Sequence, residues 1–436
     1  MNPDHPLLIK VDCHERGSAL TSLIAPFTSD EFLAQHWEQA PLRISRNDSE
    51  YFNRLMTPEE CEDALAAACL RNGEAVELLG EAARTLPPFK RDSAFAAGAA
   101  FERGATIRIV SAHRFHPPLL RLTRELERFF SFPVRINLYW TPEQQQGLNR
   151  HWDTHDVLVL QVAGRKHWRV FDSPVALPLQ SPPPLPFEDQ CSLPRGRGAV
   201  RTDELMRERS QQAELRDEFT LEQGDALYIP RGFVHEAWTS DQASAHLTIG
   251  IHVLTWTDLL TVMLGRVANR DERFRRALPV GFATEMSGDE LQEQARQLWQ
   301  TMADHAEVAD AFEEMAEIFI RTRSSIGGDL NAGSPATLSE QSIVARRSGL
   351  LCRLIVKDDV VALYYGHGEF GAPRAMEEAL RFIARTERFR VPDIPGGLNR
   401  RSQLALARRL ISDRFLRIVN TSASEINRSA PEYTDA

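Results

Sequence analysis

The spacing of hydrophobic and polar positions changes period twice along the chain. Up to about residue 103 apolar residues recur at helical intervals. In "SDEFLAQHWEQAPLRI", Ser29 reads as an N-cap, and Phe32, Leu33 and Trp37 share one face. "MTPEECEDALAAACL" repeats the logic, with Thr57 as cap, Pro58 at the first helical position, and Leu65, Cys69 and Leu70 turned inward. From residue 104 the period is two. "ATIRIV", "VRINLYW", "DVLVLQV", "HWRVF", "DALYIP" and "AHLTIGIHVL" are short runs rich in β-branched and aromatic residues, parted by turn residues. Strands at this density predict a sandwich or barrel. Between Asp172 and Asp217 the alternation lapses, and "SPVALPLQSPPPLPFEDQ" is too proline-rich for a central strand, so a surface excursion is expected there. After Thr255 the helical period returns, in a long amphipathic stretch capped at Ser287. A linker-like "GGDLNAGSPATLSEQ" follows, and the last hundred residues read strand, turn, helix, helix. That order suits a small winged-helix-like module.

Composition narrows the class. The 436 residues suffice for two or three domains. A net charge of −10 argues against a general nucleic-acid binder and leans towards a basic protein or peptide partner. The five cysteines (Cys13, Cys61, Cys69, Cys191, Cys352) are odd in number and scattered, which excludes a disulfide framework and points to a reducing cytoplasm. The opening "MNPDHPLLIKVDCHERG" carries charges where a signal peptide needs an apolar run, and no stretch approaches membrane-spanning length.

Chemistry concentrates in "HWDTHDVLVLQVAGRKHWRVF", residues 151–171. On a strand His151, Asp153 and His155 would share one face, either as paired polar groups at a strand end or as metal ligands. Among 13 histidines a lone His-x-Asp pair carries little weight. "GDALYIPRGFVHEA" adds a third ligand: Gly224 and Asp225 turn, a strand follows, Gly232 turns again and His235 returns. This G-x5-P-x-G-x2-H spacing is the second cupin motif. His151, Asp153 and His235 then form a two-histidine, one-carboxylate set, which leaves the open positions that Fe(II) needs for an organic cosubstrate and O2. His155 remains either a fourth ligand or a neighbour.

With these motifs in place, nearly the whole chain resembles the cupin-type JmjC ribosomal oxygenases, which are iron- and 2-oxoglutarate-dependent protein hydroxylases. The segments that carry the resemblance include "FLAQHWEQAPLRISR", "NLYWTP", the two metal-bearing motifs, "AHLTIG" and "LLTVMLGRVANRDERFRRALPVGF". It implies a mainly β core, a double-stranded β-helix or cupin jelly roll. A helical N-terminal extension (1–103), the catalytic domain (104–255), a helical dimerisation region (256–330) and a winged-helix-like domain (340–436) would complete the chain. It implies Fe(II) on His151, Asp153 and His235, and 2-oxoglutarate held by Lys166 with help from Tyr139. Asn137, two residues before Tyr139, would line the same pocket. Arg165, beside Lys166, would point to the opposite face.

The resemblance further implies a protein or peptide substrate (a ribosomal protein among the candidates), a homodimer, and a tail that contacts protein. Nucleic acid is not an expected partner, although Arg400, Arg401, Arg408, Arg409 and Arg414 offer a basic face. One position departs from the pattern: the histidine-hydroxylating members carry a serine after "HLTI" where this chain has Gly250. The target side chain therefore stays open. Two other readings compete, a metal cupin acting on a small molecule without 2-oxoglutarate and a non-enzymatic dimeric scaffold.

Overall fold

The computed structural model describes residues 18–85, 93–179, 208–281, 288–323, 335–347, 349–366 and 368–419. The cap expected at Ser287 and the proline-rich stretch beyond residue 179 lie outside the described residues. The chain divides into two units, Met1–Val253 and Leu254–Ala436.

In the first unit, helices α1 (Ser18–Ile24), α2 (Ser29–Gln35), α3 (Pro58–Asn72), α4 (Glu81–Thr85), α5 (Ala94–Glu102) and α6 (Pro117–Phe130) alternate with β1 (Leu42–Ile44), β2 (Val76–Leu79) and β3 (Thr106–Ile109). Thr57 caps α3 as expected, with Pro58 in its first turn and Glu60 closing a capping box. The cap of α2 is Thr28 rather than Ser29, because Thr28 keeps extended backbone and accepts from the Glu31 N–H. Leu65 and Cys69 are buried, but Leu70 is 84% exposed. A helix turns 100° per residue, so the neighbour of an inward Cys69 points away.

Strands β4 (Val134–Thr141), β5 (Asp156–Ala163), β6 (Lys166–Phe171), β7 (Leu215–Leu221), β8 (Ala226–Ile229), β9 (His235–Trp238) and β10 (Ser244–Ile251) build two antiparallel sheets. The larger has the order β1-β8-β5-β10-β4-β3-β2 and the smaller β7-β6-β9. The expected β core is therefore present, and β1 and β2, which helical periodicity had concealed, extend its edges.

The sheet faces explain the sequence pattern. Leu158, Leu160 and Val162 of β5 enter a core shared with the N-terminal helices, whereas Val157 and Val159 enter a second core with Trp168, Val170, Leu221 and Ile229. A strand covered on both sides reads as a continuous apolar run. On β4, Ile136 and Leu138 face the first core, which leaves Asn137, Tyr139 and Thr141 on the other side. Antiparallel pairing sets Tyr139 opposite His246 and Asn137 opposite Thr248.

Gly164 makes the turn between β5 and β6 with φ +60°, and a Cβ there would lie 2.1 Å from the Ala243 carbonyl oxygen. Backbone cannot yield as a flexible side chain can. Gly164→Ala is expected to destabilise the first unit by more than about 2 kcal/mol, the sum of left-handed strain and collision. Chemical denaturation of the variant checks this; an unchanged midpoint would refute it.

The second unit holds α7 (Trp256–Arg270), α8 (Gly288–His305) and α9 (Val308–Arg321), then β11 (Ile343–Arg346), β12 (Cys352–Lys357), β13 (Val360–Tyr365), β14 (Gly368–Pro373), α10 (Glu377–Arg385), β15 (Arg388–Arg390), α11 (Arg400–Ser412) and β16 (Leu416–Val419). The long amphipathic stretch is thus two helices. Arg266 of α7 pairs with Asp310 and Glu314 of α9. The C-terminal elements form two three-stranded sheets, β15-β11-β16 and β12-β13-β14, around their own core of Val344, Leu380, Leu410 and Phe415.

Candidate metal centre

The segments that carry the three expected ligands are joined backbone to backbone. His151 and His235 exchange N–H···O=C bonds of 3.1 and 2.7 Å, and the Gly232 N–H donates to the Asp153 carbonyl at 2.9 Å. One buried ion pair reinforces the join. Arg231, four residues before His235, donates to the carboxylate of Asp156, three residues after Asp153, at 2.9 Å, and the Tyr228 hydroxyl donates to the same carboxylate at 2.6 Å. Residues 151–155 are not a continuous strand as expected, since β5 starts only at Asp156. They form an irregular segment with a single bridge, His151 to His235, and a bend at Thr154 and His155.

Ligand atoms of His151, Asp153 and His235 lie within 4.8 Å of one another. Each imidazole is oriented through its Nδ1: His151 donates to the Asn149 carbonyl at 2.7 Å, and His235 to the Phe233 carbonyl at 3.1 Å. A carbonyl only accepts, so Nδ1 is the donor in each ring and Nε2 is the atom turned to the site. The His235 Nε2 sits 3.6 Å from the Asp153 carboxylate. Burial, with His151 nearby, pushes the His235 imidazole down to about 4, so it is neutral at physiological pH. Burial alone would raise the Asp153 carboxyl, but His235, His155, His151 and Arg108 outweigh it and lower the net value. Two imidazole Nε2 atoms, oriented by hydrogen bonds at the opposite ring nitrogen, together with one ionised carboxylate fit a divalent first-row metal ion.

These groups face a cavity of about 320 Å³ between the sheets, which Lys166, Tyr139 and Asn137 also line. Lys166 is 3% exposed. Its ammonium donates to the Thr141 hydroxyl at 2.8 Å, and no carboxylate pairs with it among the described residues. Burial pushes its pKa down to about 7. Tyr139, expected to assist Lys166 on the distal carboxylate, lines the same cavity and accepts from the Arg108 guanidinium at 3.4 Å, and Arg108 is in turn held by Glu77. Asn137 accepts the Ser111 N–H at 2.9 Å. Arg165 lies at the surface, paired with Asp241.

Two further polar atoms of the cavity wall are buried without a partner among the described residues, His246 Nδ1 and Trp168 Nε1. His246 stacks flat on Tyr139 at 5.1 Å, and burial, with Lys166 nearby, holds its pKa well below the usual imidazole range. A buried unpaired ammonium and orphaned ring nitrogens are costly unless a polar ligand completes them. Sequence reading missed Thr141, Arg108, His246 and Trp168. Thr141 was accessible through the period of two on β4, whereas Arg108 and His246 meet Tyr139 only through strand pairing. His155 stands outside the ligand cluster and stacks on His252.

Comparison with known proteins agrees with this architecture. The JmjC domain family matches residues 108–259. Ribosomal oxygenase 1 of Gallus gallus is 28% identical over 320 residues, covering 68% of this chain and 50% of its own. A bifunctional lysine-specific demethylase and histidyl-hydroxylase NO66 of Drosophila persimilis is 30% identical over 53% of this chain and 31% of its own. The chain thus spans half or less of the length of these relatives. The structure of YcfD, a ribosomal oxygenase from Escherichia coli, in complex with cobalt and 2-oxoglutarate superposes with a TM-score of 0.51 at 16% identity, covering 91% of this chain and 99% of that one. Residues 108–259 match the JmjC domain family, and over about two thirds of its length the chain is similar to a ribosomal oxygenase.

Proposed function

We propose that this protein is an Fe(II)- and 2-oxoglutarate-dependent oxygenase that hydroxylates a side chain of a protein or peptide. The observation that carries the reading is the pairing, in one cavity, of a His-Asp-His ligand set with a buried lysine that has no counter-anion among the described residues. A ligand that satisfies both ends needs a metal-binding head and a distal carboxylate, as 2-oxoglutarate has. His151, Asp153 and His235 would hold the iron. Lys166 and Thr141 would receive the distal carboxylate through charge-assisted hydrogen bonds. Tyr139, fixed by Arg108, and His246 would close that end, with Asn137 nearer the substrate. Bound iron supplies the O2 chemistry: one oxygen atom enters the substrate C–H bond and the other enters succinate as CO2 leaves. The chain's own residues bind, orient and keep water from that event. The relatives' names and the cobalt and 2-oxoglutarate of the YcfD complex support this reading.

Anaerobic titration of the Fe(II)-loaded protein with 2-oxoglutarate tests it. A weak visible charge-transfer band should grow to one equivalent. Metal binding without a band would favour the small-molecule metal cupin, and no metal binding would favour the scaffold.

A ribosomal protein is the leading substrate class, by the relatives' names. We place the protein in the cytoplasm, on its scattered cysteines, and no helix among the described residues is long and apolar enough to cross a membrane. We read residues 340–436 as a winged-helix-like protein-contact module and 256–330 as a dimerisation region. Helix α7 supports the latter: Trp256, Leu260 and Leu264 recur every fourth position and are 61%, 42% and 43% exposed. Such a stripe facing water marks an interface. Light scattering should give a dimer mass for the wild type and a monomer mass for the Leu260→Glu/Leu264→Glu double variant. A monomeric wild type would sink the homodimer.

A further inference from the structure

Gly250 lies on the cavity face of β10, in step with His246 and Thr248. A Cβ at this position would meet the His155 ring at 2.7 Å (Cδ2) and 2.9 Å (Nε2), with His252 Nε2 at 3.5 Å. The His155 imidazole therefore lies directly on the strand backbone, in the space that any other residue at 250 would fill. It does not lie there loosely. Its ring stacks on His252 with centroids 4.6 Å apart and planes 17° from parallel. His155 also lines the cavity that holds the His-Asp-His set, alongside Asn137 and Thr248.

The cavity thus has two ends of different chemistry. Lys166, backed by the Thr141 hydroxyl, lines a buried polar end with Tyr139 and His246 that suits a carboxylate. The other end is bounded by the His155 imidazole, which occupies the space that a side chain at 250 would need. We propose that the His155–His252 stack is the substrate-selecting wall of this pocket, admitting an unbranched side chain to the metal and excluding one that carries its own ring. This rests on the oxygenase reading above. The physical basis is packing: a space already filled by a stacked ring cannot take a second ring without displacing the first. An unbranched methylene chain has a smaller cross-section than a ring and needs less of the space that His155 leaves. Glycine at 250 acts through His155, so position 250 is a positioning element and His155 the contact.

The test uses the full chain loaded with Fe(II), 2-oxoglutarate and O2. The probes are synthetic peptides from ribosomal proteins, identical but for one central residue that is unbranched (Arg, Lys, Gln, Met) or ring-bearing (His, Phe, Tyr, Trp). Mass spectrometry reads which residues gain one oxygen. The wild type should oxidise only unbranched residues. His155→Ala should raise the ring-bearing to unbranched ratio at least tenfold, and His252→Ala, which frees the ring without vacating the wall, should raise it less. A second readout needs no turnover. Gly250→Ser should lower the melting temperature of the wild type by several degrees, and by less than half as much in the His155→Ala background. Equal oxidation of both side-chain classes by wild type and His155→Ala overturns the proposal, as does an undiminished Gly250→Ser penalty without His155. If no peptide is oxidised, the proposal falls too. The charge-transfer band then separates the cases: a missing band means that the oxygenase reading itself has failed, a normal band that only the wall has.

Discussion

His235→Ala should abolish the response of this protein to divalent metal while leaving it folded. In the wild type, Fe(II), or Co(II) as an air-stable stand-in, should raise the melting temperature of the first unit. A ligand that binds only the folded state stabilises by about 2.7 kcal/mol at a hundredfold excess over its Kd. The variant removes one of three ligands, and the loss should exceed the roughly 10- to 100-fold in affinity that even an outer hydrogen-bonding partner costs. Folding should survive because the joins between the two segments do not use the imidazole. They run through backbone bonds at His151 and Gly232 and through the Arg231–Asp156 pair. Scanning calorimetry with and without metal checks both halves. A variant that still gains stability from metal would remove His235 from the ligand set.

Lys166→Met should bring the opposite pairing of effects, a lost cosubstrate and a more stable protein. Removing a buried ammonium from a carboxylate's partners costs roughly 2–5 kcal/mol, about 30-fold to several-thousand-fold in 2-oxoglutarate affinity. In the free protein the same ammonium is a burden. Its pKa is about 7 against about 10.4 in an unfolded chain. The unfolded state therefore binds more protons between those values, so stability rises with pH across that window and the full penalty stands below pH 7. A shift of this size is worth roughly 3–5 kcal/mol. Methionine fills similar space without the charge, so the variant should melt several degrees higher, with the gap widest below pH 7 and closing towards pH 10. Cosubstrate binding inherits the same proton. Above pH 7 the lysine must be protonated to receive the carboxylate, so affinity should fall by up to tenfold per pH unit. Calorimetry at pH 8 in two buffers of different ionisation heat should find close to one proton taken up per 2-oxoglutarate. No uptake would mean that Lys166 is already charged or does not meet the ligand. A variant that melts lower than wild type would mean that the amine is a structural asset.

Legibility followed the range of the interactions involved. Period two exposed β3 to β6, β8 and β10, and the Thr57–Pro58 signal located α3, because each depends on neighbours within one or two turns. Strands β1 and β2 were hidden because they are only three and four residues long and sit between helices. Strands β3 and β8 are as short as β2, but they fall in the stretch where period two already prevails, whereas β1 and β2 fall in the stretch of helical period. His155 could not be settled from its spacing alone. A place on a common strand face required residues 151–155 to be regular strand, and they are instead an irregular segment with one bridge to His235 and a bend at Thr154 and His155. The ring then turns to His252, nearly a hundred residues away.

What the sequence determined by itself were local patterns and motif spacings: a β core flanked by helices, the His-x-Asp pair, the glycine-proline-glycine frame around His235, and the lysine after the β5 turn. These survive because turn geometry and side-chain alternation are set within a few residues. Tertiary structure decided which of these groups share a cavity and with whom. Lys166 meets Thr141, Tyr139 meets Arg108, and Gly250 makes room for a ring from another segment. Each of those contacts joins residues on different strands, whose register depends on the burial of both sheets at once. No window of sequence contains that sum.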